Sequence, residues 1–315
     1  MPDLKIKNNE LLKNHSTFRI GGLAKYFVMS KSPDEVMEAI KWAEEKLINF
    51  KVIGGGSNVL FSDDGYDGLI IKYFSSQVEF NGENIDCPAG AILASLMNNS
   101  LSRSLIGLEW ATGIPGTIGG AIHNNCGAYG GEISDCVLTV KVLRDGKIIE
   151  LPNSDCNFGY RQSVFKTQAN QDIILSATLK LKSATAEELS AAKEKRRQNL
   201  VDRLSKASEG PSAGSTFRNL TFTQEEIDLV KEDHPKLPDQ YIAWKKIPCA
   251  WLIDQCGLKG KKIGGAMVSE RHAGKITNVG GATAKDVIML ISIIKQKVRG
   301  KFGLQLMEEI EYIGF

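Results

Sequence analysis

The sequence predicts an α+β protein in which a two-lobed ligand-binding region precedes a separate C-terminal domain, and three observations predict it. A strand-helix-strand pattern near the start runs into the glycine stretch Gly54-Gly55-Gly56-Ser57-Asn58. A hairpin signal, Asp145-Gly146, lies between two β-rich runs in mid-chain. A charged helical stretch closes on Glu209-Gly210-Pro211 before the last third begins. At 315 residues the chain is long enough that more than one core is expected.

The elements follow in order. Tyr26 to Met29 reads as a strand, and Ser32-Pro33-Asp34-Glu35 then opens a helix with an N-cap hydroxyl, proline at the first helical position and a glutamate three residues after the cap. Val36, Ala39, Ile40, Ala43 and Leu47 form its apolar stripe. Phe50 to Ile53 and Gly68 to Lys72 are further strands, so the first lobe is expected at residues 1–73. The second lobe, 74–200, carries Val137 to Arg144 and Lys147 to Leu151, joined by the two-residue turn that favours a hairpin. The charged helix at 185–210 ends at a Gly-Pro break and marks the boundary; its charges read as a solvated face. The C-terminal domain is expected at 201–300. It contains a capping box at Thr283 to Asp286 and an apolar helix to Val298 with Gly300 past its end. Leu304 to Ile313 reads as a terminal strand within 301–315.

Composition excludes several classes. With 42% hydrophobic residues, 24% charged residues and a net charge of +2, neither a disordered chain nor a nucleic-acid surface is signalled. The N-terminus has no apolar signal-like region and no window approaches a membrane span, so a cytoplasmic protein without a membrane or nucleic-acid partner is expected. Six cysteines without a CxxC pair and four dispersed histidines predict reduced thiols and no metal site.

The two glycine stretches carry the first functional signal. The second is Gly113-Ile114-Pro115-Gly116-Thr117-Ile118-Gly119-Gly120-Ala121, and each is expected to follow a short strand. Glycine lets backbone N–H groups approach an anion without Cβ atoms in the way, so two such loops suit a long ligand with phosphates at one end and a flat body at the other. Neither GxGxxG nor GxxxxGK[ST] is present in the first, which argues for a flavin cradle of another fold.

Three further stretches hold candidate chemistry, and each alone has an ordinary reading. Pro211-Ser212-Ala213-Gly214-Ser215-Thr216-Phe217-Arg218-Asn219 surrounds a hydroxyl with small residues, as a plain linker also would. Arg161 beside Tyr160 offers a planar fork for a carboxylate, or a surface pair. Glu309 in Glu308-Glu309-Ile310 is turned by strand alternation to the face opposite its neighbours, where it could simply be solvated.

In combination and in this order, Asn14 to Gly22, Gly54 to Leu60, Gly113 to Gly131, Tyr160-Arg161, Ser212 to Asn219, Trp251 to Asp254 with Gly257 to Gly260, and the glutamate-bearing terminus resemble the UDP-N-acetylenolpyruvoylglucosamine reductase family across nearly the whole chain. The resemblance implies a flavin-binding region of vanillyl-alcohol-oxidase type in two lobes, a C-terminal α+β substrate domain, and a role in peptidoglycan precursor synthesis. FAD would be bound non-covalently, with NADPH as reductant. The substrate would be the enolpyruvyl ether of UDP-N-acetylglucosamine, reduced to UDP-N-acetylmuramate by hydride transfer to the terminal carbon and proton transfer to the adjacent one.

By motif, Ser215 would donate that proton, while Arg161 and Glu309 would hold the carboxylate and stabilise the enolate. An ionised Glu309 would repel the developing charge, so it is expected either to be protonated at that stage or to orient a water or the serine. The resemblance places the cofactor on Gly54, Gly55, Gly56, Ser57, Asn58, Ile114, Pro115, Gly116, Thr117, Gly119 and Ala121. It places the substrate on Tyr160, Asn219, Tyr241, Lys246, Lys259 and His272. A monomer is expected.

The chain also departs from the family pattern. Leu220 follows Asn219 where proline is common, Met307 replaces a frequent acidic residue, and Gln224 to Lys246 is longer than in compact members and could serve as a flap. The stretch between Arg161 and Ser215 is short for the tyrosine-bearing loop of one subgroup, leaving Tyr129 or Tyr241 as substitutes. Two other readings remain beside the reductase: an oxidase on the same fold, with His123 or Cys126 as the flavin tether, and a non-catalytic flavin or nucleotide-sugar binding protein.

Overall fold

The computed structural model describes residues 4–166 and 172–315. The chain forms two compact units: the first takes the residues up to Glu10, Ala24–Gly56 and Tyr66–Ser205, and the second takes Leu11–Leu23, Ser57–Gly65 and Lys206–Phe315. These bounds differ from the expected ones at three places. Phe18, Ile20 and Leu60 are buried in the core of the second unit, so two short pieces of the expected first lobe belong there instead. The helix Ala186–Ser205 stays whole within the first unit, moving the boundary from residue 200 to 205. The two expected lobes share one core, in which Val28, Ile40 and Leu69 pack with Ile85, Leu96, Val140 and Leu179.

In the first unit a four-stranded sheet runs in the order Lys7–Leu11, Leu23–Ser30, Tyr66–Tyr73, Phe50–Ile53, with the last three strands parallel. The helix Pro33–Glu45 makes the crossover; Ser32 Oγ accepts from the Glu35 amide at 3.2 Å, as the capping pattern predicts. Its buried stripe is Val36, Ala39, Ile40 and Ala43. Leu47 is not part of it, because the helix has already ended and the residue sits at φ 54°, exposed. A five-stranded antiparallel sheet follows in the order Lys147–Pro152, Val137–Arg144, Ile173–Lys180, Asn84–Pro88, Glu79–Asn81. Its hairpin turns on Asp145 and Gly146, both at positive φ (48° and 72°), the backbone that the Asp-Gly pair makes cheap.

At the end of that hairpin Arg144 grips Asp172 with two bonds of 2.7 and 2.6 Å, and the Asp172 side chain is only 1% exposed. Removing the carboxylate strands a partly buried guanidinium. Asp172→Ala is therefore expected to lower stability by about 2–3 kcal/mol in chemical denaturation, and an unchanged midpoint would show that the pair contributes nothing.

The second unit is built around the helix Ala284–Phe302, whose Val287, Leu290, Ile291, Ile294 and Val298 fill its core. The Thr283–Asp286 capping box forms as predicted, and the Asp63 carboxylate also accepts from the amides of Ala284 (2.8 Å) and Lys285 (3.2 Å). The helix runs past Gly300 and ends only where Gly303 adopts φ 66°, so the stop expected after Val298 comes one turn late. A three-stranded antiparallel sheet, Lys262–Ile263, Ala266–Val268 and Ile276–Asn278, stands against it. The expected terminal strand is shorter than Leu304 to Ile313: only Glu311–Ile313 is regular, paired in parallel with Val59–Phe61. Among the described residues no helix is long and apolar enough to cross a membrane.

Candidate active site

The two glycine loops meet inside the first unit. Phe50–Ile53 delivers Gly54 and Gly55 to the second loop, where a Cβ on Gly54 would fall on Thr117 Oγ1 and one on Gly55 would stand 3.0 Å from Gly116 Cα. The absence of side chains is what allows this approach. The loops differ in how they arise: the second follows the short 3-10 helix Glu109–Ala111, not the expected strand. Thr117, 2% exposed, then caps the helix Ile118–His123 by accepting from the Gly120 amide.

The amides divide into two groups. Those of Ile118 and Gly119 donate to Ala91 (2.8 Å) and Ala89 (2.8 Å), and Gly119 packs directly on the Ala89 methyl. Gly119 and the 5%-exposed Ala121 therefore hold the loop to the sheet from behind. The amides of Gly55, Gly56, Gly116 and Thr117 have no hydrogen-bond partner among the described residues. Four backbone donors in two abutting loops, with Gly56 turned to φ 64°, are what a phosphate-bearing cofactor requires.

Arg161 is placed by a tight turn in the same unit. Gly159 and Gln162 exchange two bonds of 3.0 Å, forcing Arg161 to φ 55°. Its guanidinium donates to the carbonyls of Asn125 (3.4 Å) and Gly127 (2.8 Å) and lies 5.4 Å from the Tyr160 ring centroid. The sequence reading missed Asn125, which organises this turn: it is fully buried at φ 39°, donates to Gly159 O (2.9 Å) and accepts from the Ser134 amide (3.2 Å). A sequence signal existed, since asparagine tolerates left-handed backbone better than most residues.

In the second unit the structure brings Ser215 and Glu309 onto neighbouring segments. Ser215 pairs with Lys275, Thr216 N–H donates to Gly274 O (2.8 Å), and on the other side Glu309 N–H donates to Thr216 O (2.8 Å). Gly214, at φ 79°, turns the chain into this arrangement. The Ser215 hydroxyl is half-buried and has no hydrogen-bond partner among the described residues. Glu308 is ion-paired with Lys295 at 2.9 Å and Ile310 is in the core, so alternation turns the half-buried Glu309 to the other face. Cys249, close by, donates to Phe217 O; burial and then the Glu309 charge push its thiol up to about 12, which leaves it an unreactive core group.

The substrate candidates separate. His272 has a buried Nδ1 without a partner, and burial together with Lys275 and Lys206 holds its pKa below the usual histidine range. It is thus a neutral ring on the loop that pairs with Ser215. Asn219 uses its Oδ1 to accept from Cys249 N (3.1 Å) at the start of the helix Cys249–Gln255. Tyr241 is a core residue, 5.8 Å from the Trp244 ring and 5.6 Å from Trp251. Lys259 makes an exposed ion pair with Asp254 at 3.0 Å. Lys246 pairs with Thr221 in a two-residue ladder that begins at Leu220, so the leucine found in place of proline starts a strand. Tyr129 donates from its hydroxyl to Asn199 O and Asp202, which ties it to the helix Ala186–Ser205. The segment proposed as a flap buries Ile227, Leu237 and Tyr241 in the second core.

A family model described as FAD binding domain matches residues 24–152, which include both glycine loops. The fold and the loops thus define the chain as an FAD-binding flavoprotein with an added C-terminal domain. That domain, residues 205–313, matches the model described as the C-terminal domain of UDP-N-acetylenolpyruvoylglucosamine reductase. Curated reductases of that name are similar over nearly the full length: that of Caldanaerobacter subterraneus subsp. tengcongensis is 38% identical over 98% of this chain and 94% of its own. That of Clostridioides difficile is 36% identical over 98% and 93%. The crystal structure of the Thermus caldophilus UDP-N-acetylenolpyruvylglucosamine reductase matches with a TM-score of 0.76 at 27% identity, covering 98% of this chain and 99% of that one. The chain belongs to the UDP-N-acetylenolpyruvoylglucosamine reductase family.

Proposed function

We propose that the protein uses FAD and NADPH to reduce the enolpyruvyl ether of UDP-N-acetylglucosamine to UDP-N-acetylmuramate, as a cytoplasmic monomer supplying peptidoglycan synthesis. The observation that carries the reading is the unpartnered Ser215 hydroxyl on a segment bonded to that of Glu309, in a chain whose abutting glycine loops offer free amides. FAD bound there would supply the hydride chemistry, linking NADPH to the terminal carbon of the enol ether. The amides of Gly55, Gly56, Gly116 and Thr117 would hold its phosphates.

The chain's own groups handle the charge and the proton. Arg161, immobilised by two carbonyls, presents a fork suited to the substrate's planar carboxylate and strengthens its hold as enolate charge develops there. Ser215 gives its proton to the carbon next to that carboxylate. Glu309 orients the serine or a water, or serves in protonated form. His272, neutral, adds no charge but can accept or donate a hydrogen bond to the nucleotide sugar.

Arg161→Lys keeps the charge and removes the fork. It is expected to slow flavin reoxidation by the sugar at least tenfold, a loss of about 1.4 kcal/mol of differential binding, while NADPH-driven bleaching stays near wild type. Wild-type reoxidation would refute bidentate capture. The function itself is tested by the visible spectrum of the purified protein without oxygen. A flavin band that bleaches with NADPH and returns with the enolpyruvyl sugar supports the reductase; bleaching reversed only by air favours an oxidase, and absence of a flavin band sinks the reading of both loops.

A further inference from the structure

Asn58 stands at the end of the first glycine run, and its side chain meets the backbone of Glu309. Its Nδ2 donates to Glu309 O at 3.0 Å, and its carbonyl accepts from Glu311 N at 2.9 Å. Glu309 N–H is taken by Thr216 O. Both backbone groups of Glu309 are therefore held, one from the segment of Ser215 and one from the residue that follows the flavin loop. All of these residues lie in the second unit.

The geometry points to Asn58 as a positioning residue for Glu309, setting the depth at which that glutamate stands beside Ser215; this rests on the reductase reading above. The ladder between Val59–Phe61 and Glu311–Ile313 begins at the Glu311–Val59 rung. In a parallel ladder of this register the next bond toward Glu309 O is the one that the Asn58 backbone N–H would make. The Asn58 carboxamide supplies the missing rung. An asparagine is suited to it, because its carboxamide offers a donor to that carbonyl. Aspartate has the same shape and only acceptors, so it would set a carboxylate oxygen against Glu309 O.

The test compares Asn58→Asp with wild type, both purified with FAD, by three readouts. Amide exchange at Glu309 and Glu311 should quicken about tenfold, since losing the bond from the Asn58 carboxamide to Glu309 O loosens the segment in which both amides lie. Reoxidation of the flavin by the enolpyruvyl sugar should slow by about a hundredfold, the effect of misplacing a group by about 1 Å. FAD content and NADPH-driven bleaching should stay within about twofold of wild type. Loss of FAD with a wild-type reoxidation rate per bound flavin, or unchanged exchange at Glu309, would overturn the assignment and make Asn58 a flavin ligand or a bystander. Should Asn58→Asp fail to accumulate, Asn58→Ala removes the donor without adding charge and carries the same comparison. If the wild-type protein is not reoxidised by the sugar, the functional reading fails on its own, and the exchange measurement still decides this one.

Discussion

Ser215→Ala is expected to leave NADPH-driven bleaching of the flavin within about twofold of wild type and to slow reoxidation by the enolpyruvyl sugar by on the order of 10²–10⁴, the usual worth of a positioned proton donor. The asymmetry follows from where the hydroxyl stands. Its neighbours on the backbone are fixed through Lys275 and Gly274, and Thr216, 2% exposed, accepts from Ile276 N with its own hydroxyl. The Ser215 side chain takes no part in that scaffold, so its removal costs the fold little and costs the proton transfer its source. Stopped-flow measurement of each half-reaction separates the two. Equal loss in both would mean that the serine acts on the flavin or on folding, and a solvent isotope effect that persists unchanged in the variant would assign the proton to another group. Glu309→Gln sharpens the comparison: it keeps the backbone bonds to Thr216 and Asn58, so any loss reports the carboxyl group itself.

The fold was legible wherever a local rule and the tertiary contacts agreed. Ser32, Pro33 and Glu35 begin the first helix as read, and Asp145-Gly146 turns the hairpin, because a cap and a two-residue turn are decided by the residues that make them. What was not legible depended on partners distant in the chain. Nothing local assigns Phe18, Ile20 and Leu60 to the core of the last third of the chain. Gly300 looked like a stop, but the helix continues because Val298 is still packed in the core, and Gly303 takes the left-handed turn. The site divides in the same way. Motif wording singled out Arg161, Ser215, Glu309, Asn58 and Asn219, but not the bonds from Asn58 Nδ2 to Glu309 O and from Cys249 N to Asn219 Oδ1. A carboxamide in a motif shows that a hydrogen bond is needed, not with what.

The largest effect expected on cofactor binding comes from Gly54→Ala. The added methyl would fall on Thr117 Oγ1, and its other near neighbours, Thr117 Cβ and Cγ2, are both at 3.2 Å, so no rotation of the threonine clears it fully. Thr117 is buried and caps the helix Ile118–His123, hence moving it also undoes that cap. The alternative is for the loops to part, which withdraws the amides of Gly55 and Gly56 from those of Gly116 and Thr117. Two or more charge-assisted bonds to phosphate at about 1.5–3 kcal/mol each correspond to a loss of more than a hundredfold in FAD affinity, so the variant should purify colourless. The double variant Gly54→Ala with Thr117→Ala discriminates between a steric cause and a general loss of stability. Removing Oγ1 and Cγ2 takes away the clash and leaves the methyl groups at 3.2 Å, tight but tolerable with a small shift. FAD titration of the apoprotein should then recover at least tenfold over Gly54→Ala, even though Thr117→Ala alone sacrifices the cap and weakens binding. A double variant no better than the single one would mean that Gly54 matters for its backbone freedom and not for the contact of the two loops.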